Sequence, residues 1–115
     1  MTQVSKYPVH KDVEKRMFEV LEETISHLRG TEEIKDFLHD FLSPVEKIML
    51  AKRLSIAVLL YKGYRYKSIG GILRVTPPTI ATVSMLLKYS GKGYKRAVEK
   101  IARNATKGQR CVRRP

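Results

Sequence analysis

Apolar side chains recur three and four residues apart along most of this chain. Between Val9 and Arg29 the positions Val13, Met17, Val20, Leu21, Ile25 and Leu28 make one stripe with charges opposite, which predicts an amphipathic helix. Gly30 is the expected left-handed stop, and Thr31 the expected cap of a shorter helix whose first turn holds Glu32 and Glu33. That second helix gathers Ile34, Phe37, Leu38, Phe41 and Leu42 on one face.

"SPVE" at 43–46 is the clearest local signal. The Ser43 hydroxyl can accept from the Glu46 N–H, while the Glu46 carboxylate reaches back to the N–H of Ser43. Pro44 stands at the first helical position, where a missing donor costs nothing. The helix so opened is expected to reach Lys62 and stop at Gly63. Its later part, "LSIAVLLY", is apolar almost all round, which predicts burial on every side. So small a chain has few elements to surround it, and an intertwined homodimer would supply them.

A short helix follows at about Tyr66–Leu73, then the corner "RVT" and a helix from Pro77 to Lys88. Two glycines in "YSGKGY" break the chain before a last helix over Gly93–Asn104, with Tyr94, Ala97, Val98 and Ile101 on one side. No strand alternation and no internal repeat is visible. The expectation is an all-α fold of six helices: a flexible arm at 1–8, one domain at 9–104 and a basic tail at 105–115.

Charge divides the chain. Residues 1–43 carry a net −3, residues 44–87 a net +6 and residues 88–115 a net +9, within a total of +12. A basic excess of this size points to a polyanionic partner met by the second half. Cys111 is the only cysteine, so no intrachain disulfide can form, and a reducing compartment such as the cytoplasm, at the nucleoid, is expected. The first sixteen residues hold no apolar stretch of signal-peptide kind. The most apolar window, Val45–Tyr61, is interrupted by Lys47, Lys52 and Arg53, so no membrane partner is expected. His10, His27 and His39 have no metal-site spacing, so no metal is expected. No nucleophile triad, Gly-rich phosphate loop or paired-carboxylate set supports catalysis, and no enzyme activity is expected.

The corner between the fourth and fifth helices has the features of a helix-turn-helix. Ile69, Leu73 and Val75 would face Ile80, Val83 and Leu87, and Gly70 would give room for close approach of the second helix. Thr76 would cap that helix, while Pro77 and Pro78 occupy its first turn, where backbone donors have no intrahelical use. The outward face would then present Pro78, Ala81, Thr82 and Met85, with Pro77 and Thr79 at the tip. Those six residues are the expected base-reading surface. None can pair bidentately with a base edge, so methyl, ring and hydroxyl contacts and bridging waters are expected. Lys67, Arg74, Lys88 and Lys92 are the expected phosphate contacts.

The run "LSPVEKIMLAKRLSIAVLLYKGYRYKSIGGILRVTPPTIATVSMLLKYSGKGY" resembles the Trp repressor superfamily, specifically its YerC-like branch. The shared pattern is a Pro-led capped helix with an Ala-x-Arg-Leu element, a Gly stop, a Tyr-led short helix and a recognition helix of the "TATISR" type. It extends over roughly Val9 to Ile101. The resemblance implies an intertwined helical homodimer with two helix-turn-helix heads that binds double-stranded DNA as a transcriptional regulator, read here as a repressor. Two departures stand out. Arg74 occupies the corner where the family usually has Gly, and "TPPTIAT" replaces "STATISR", so Ala81-Thr82 stands for the Ser-Arg pair. In tryptophan-responsive members two arginines hold the indole. Arg53 matches the first and is the candidate effector residue, but Thr82 stands at the second. No cofactor is therefore expected, tryptophan included.

Bland readings compete at several positions. Arg53 and Lys52 fit solvated sites on a long helix, Tyr61, Tyr64 and Tyr66 fit packing and capping, and the tail fits a solubilising extension. Two other functions fit the charge: an RNA- or ribosome-associated basic protein, and a protein-interaction module built on a degenerate helix-turn-helix. The operator, the regulated genes and any effector are not written in the residues.

Overall fold

A computed structural model describes residues 9–108, with side chains as far as Arg103. The expected arm at 1–8 and the tail from residue 109 lie outside the described residues. Six helices follow one another: α1 (Lys11–Ser26), α2 (Gly30–Phe41), α3 (Pro44–Tyr61), α4 (Tyr66–Leu73), α5 (Pro77–Tyr89) and α6 (Lys92–Gly108). There is no strand among the described residues. The chain divides into two compact units, residues 1–48 and 49–115.

In the first unit α1 starts later than the apolar stripe suggests, because His10 is its cap: Nδ1 accepts from the Asp12 N–H at 3.2 Å. The helix also ends earlier, at Ser26. There the Leu28 N–H bonds the Ile25 carbonyl at 3.2 Å and tightens the last turn. This early exit changes the roles expected of Gly30 and Thr31. Gly30 is left-handed as predicted (φ +79°), but it opens α2 instead of closing α1. Thr31 is not the cap; the chain enters α2 at Arg29, whose N–H donates to Glu33 Oε1 at 2.9 Å. Within α2 the rings of Phe37 and Phe41 stack at 4.9 Å. The capping box forms as expected, with Ser43 N–H to Glu46 Oε1 at 2.9 Å and Glu46 N–H to Ser43 Oγ at 3.2 Å. No residue of α1 or α2 is buried.

The second unit holds the core. Gly63 (φ +90°) ends α3, with the Tyr64 N–H reaching the Leu59 carbonyl and the Gly63 N–H that of Leu60, both at 3.0 Å. This is the double-bonded glycine stop that satisfies the last helical carbonyls. It folds Tyr64 back into contact with the core beside Leu59. Ile56, Ile69, Ile80 and Val98 are fully buried, each contributing roughly 1.5–3 kcal/mol through burial. They bring α3, α4, α5 and α6 around one cluster.

In the "LSIAVLLY" segment Ile56, Ala57 and Leu59 are buried, while Leu54 and Tyr61 each stay 45% exposed, the sides for which a second copy is expected. One expectation changes. On α6 the inward stripe is Tyr94, Val98 and Ala102, a run of fours, whereas Ala97 and Ile101 are exposed. That helix also continues to Gly108, past the expected end at Asn104.

Candidate nucleic-acid interface

The axes of α4 and α5 turn through 114° across a three-residue corner, within the range of helix-turn-helix units. Ile69, Ile80 and Val83 are buried at this corner, with Leu73, Val75 and Leu87 half-buried against them. The residues expected to form the helix-turn-helix core therefore meet.

Gly70 makes room for a different neighbour than expected. A Cβ there would stand 3.2 Å from the carbonyl oxygen of Val75, in the turn itself and not on the second helix. The turn folds that closely because Arg74 adopts φ 57°, ψ 53° and lets the Val75 N–H reach the Gly70 carbonyl at 3.3 Å. Arg74 is the non-glycine residue with positive φ among those described. An L-residue in this region is disfavoured by roughly 1–2 kcal/mol, and the packed corner holds it there.

Thr76 occupies the entry of α5 but makes no side-chain bond to the helix backbone. Its hydroxyl lies 3.0 Å from that of Thr79 instead. Pro78, at the second helical position, removes one of the two N–H groups such a cap could use; the Thr79 N–H at the third remains. Thr82 also turns its hydroxyl inward along the helix, donating to the Pro78 carbonyl at 3.0 Å.

The six residues assigned to base reading, Pro77, Pro78, Thr79, Ala81, Thr82 and Met85, are all exposed. Lys67, Arg74, Lys88 and Lys92 are exposed too, and none has an ion-pair partner among the described residues. Thr79 and Thr82 stand apart from the rest, since they also line a cleft of about 430 Å³ with Lys52, Arg53, Ile56 and Leu86. The structure thus brings Arg53 and Thr82 together at one cleft. Leu86 was not foreseen there; two adjacent leucines at 86–87 are the trace of an apolar face wider than the corner's core. The Tyr94 hydroxyl is buried with no hydrogen-bond partner among the described residues. Burial pushes its pKa up, against the opposing pull of the Arg53 charge.

No three His, Cys, Asp or Glu side chains among the described residues are placed to hold a metal. No single helix there is long and apolar enough to cross a membrane.

Two solved structures share this fold. A TrpR-like protein from Eubacterium eligens superimposes with a TM-score of 0.71 at 26% identity, over 80% of this chain and 95% of that one. A candidate Trp repressor from Staphylococcus aureus gives 0.70 at 24% identity, over the same shares. No curated protein sequence matches the chain. The family model described as Trp repressor protein matches residues 16–102, which takes in the capping box, the glycine stop and the whole helix-turn-helix corner. By that match the chain belongs to the Trp repressor family of helix-turn-helix, DNA-binding regulators.

Proposed function

We propose that this protein is a sequence-selective regulator of transcription, acting as a repressor, that binds double-stranded DNA as a homodimer with α5 in the major groove. The observation that carries this reading is the exposed, uncharged face Pro78–Ala81–Met85 on a helix turned 114° from its partner and rimmed by Lys67, Arg74, Lys88 and Lys92. Basic rim groups fix the register on phosphates, and the neutral face selects sequence through thymine methyls and water-bridged contacts. Arg74 supplies its charge from the turn, at the N-terminal side of the reading helix.

The homodimer is supported by exposed apolar surface on α1 and on α3. On α1 Val13, Met17, Phe18, Val20, Leu21 and Ile25 are each 39–55% exposed, and Leu54 and Tyr61 of α3 are open as well. A second copy offers the same surface in return, as two-fold interfaces require. The cleft beside Arg53 is the candidate effector site. Its second cationic position is filled by Thr82, whose hydroxyl is already bonded to Pro78, so tryptophan is not its ligand.

Selection of binding sites from random duplex DNA tests the reading. A two-fold symmetric consensus with half-sites about one helical turn apart supports it. Enrichment of nothing, or preference for structured RNA in direct competition, overturns it.

A further inference from the structure

The outer face of α6 carries a basic stripe separate from the helix-turn-helix. Lys92, Arg96, Lys100 and Arg103 follow at spacings of four, four and three, all exposed, opposite the buried Val98 and Ala102. Lys95 lies nearer the buried side, and Glu99, three residues after Arg96 and four before Arg103, is the one acid on the face and pairs with neither among the described residues. A helix face that is merely solvated mixes its signs, as α1 does where Arg16 lies 3.5 Å from both Glu19 and Glu23. None of the α6 cations has such a partner among the described residues. Lys92 and Lys95 even stand in the first turn, which holds no acid, where positive charge opposes the helix dipole. Helix stability therefore does not account for the pattern.

We infer that this stripe is a second phosphate-binding surface, which holds the duplex flanking the recognition site. The inference rests on the DNA-binding reading proposed above. It is continuous with that interface through Lys92, the rim residue at the start of α6. From Lys92 to Arg103 the stripe extends about 16 Å at the helical rise of about 1.5 Å. Laid along a duplex axis, that length covers roughly five base-pair steps at about 3.4 Å of axis each. Phosphate contacts of this kind add affinity without reading sequence.

The test uses the full chain with Arg96→Gln, Lys100→Gln and Arg103→Gln combined, and the conservative Arg96→Lys, Arg103→Lys variant as the rescue. Each is titrated over a range of salt against the selected site alone, the same site with ten added base pairs on each side, and a scrambled long duplex. A structured RNA hairpin is the fourth arm, and thermal unfolding checks that each variant folds.

On the long duplexes the triple variant should bind tenfold or more weakly to both sequences alike. Its slope of log K against log salt should flatten by up to about 5.4, at about 0.9 for each of the three cations lost from each protomer of the bound dimer. The Arg→Lys variant should retain the wild-type slope, and the weakening should shrink by more than half on the short site. Wild-type affinity and slope in a folded triple variant would overturn the inference while leaving the helix-turn-helix reading intact, as would a weakening confined to the RNA hairpin. A wild-type protein that binds no duplex at low salt would overturn both.

Discussion

The carbonyl oxygen of Val75 lies 3.2 Å from the point where a Cβ on Gly70 would stand, whereas the adjoining Gly71 has no atom within 4 Å of its own. Both glycines are inside α4 and both would gain about 1 kcal/mol of helix propensity on becoming alanine. Gly71→Ala should therefore stabilise the protein by about 0.5–1 kcal/mol. Gly70→Ala must displace the turn's backbone and should fall at least about 1 kcal/mol below Gly71→Ala. Denaturant unfolding at one fixed protein concentration checks the pair. Equal stabilities would mean that the corner is looser than described.

Arg74 sets stability against binding. Its left-handed backbone (φ 57°) favours glycine, so Arg74→Gly should raise stability by up to about 1 kcal/mol, less the entropy glycine adds to the unfolded chain. If Arg74 holds a phosphate as proposed, the same change should lower affinity for all duplexes and flatten the salt slope by about 1.8, one contact in each protomer of the dimer. A variant that gains neither stability nor a shallower slope would place Arg74 outside both roles.

The capping box gives α3 a pH-dependent start. The Glu46 carboxyl is held below its ordinary value of 4.5 by the bond from the Ser43 N–H, and further by its contact with the Ser43 side chain. A folded pKa lowered in this way gives stability that is present above the unfolded value and lost as pH falls through the folded one. Glu46→Gln keeps an acceptor but does not titrate. The advantage of wild type over Glu46→Gln should hold near neutrality and fade as pH falls below 4.5 and through the lowered folded value. Ser43→Ala should cost about 1 kcal/mol throughout.

Met17 and Ile25 lie on the exposed apolar face of α1, where lysine would be harmless in a lone chain. If that face is the seat of a second copy, Met17→Lys with Ile25→Lys buries two unpaired charges and should abolish the dimer or the fold. Sedimentation of the wild type should show twice the chain mass. A folded wild-type monomer contradicts the dimer, and a double variant that assembles normally contradicts the α1 face as its seat.

Local signals in the sequence carry through to the fold. The box Ser43–Glu46, the stop at Gly63 and the corner Gly70–Val75 each depend on a few adjacent residues, and each forms. Outcomes that depend on what a residue lacks, or on its neighbours in space, are not legible in that way. Thr76 meets the Thr79 hydroxyl and not the helix backbone, a choice between adjacent partners that residue type does not decide. Thr31 lost its role because α1 ended three residues sooner, a balance of fraying and turn bonds that no periodicity records. The cleft that joins Arg53 to Thr82 and Leu86 is assembled from α3 and α5, and only the relative placing of two helices reveals it. The exposed stripe on α1 was legible as apolar, but a pattern of faces does not say whether the cover comes from the same chain.

That α5 reads DNA through its neutral outer face is tested most directly at Ala81, which is exposed and takes no part in the Arg53 cleft. The measurement is the ratio of affinities for the selected duplex and a scrambled one, in wild type and in Ala81→Glu. Wild type should favour its site by about a thousandfold or more at physiological salt. Glutamate in the groove should repel the phosphates and clash with base edges, bringing the ratio close to one while the protein stays folded. An Ala81→Glu protein that keeps the wild-type ratio would show that another surface reads the sequence.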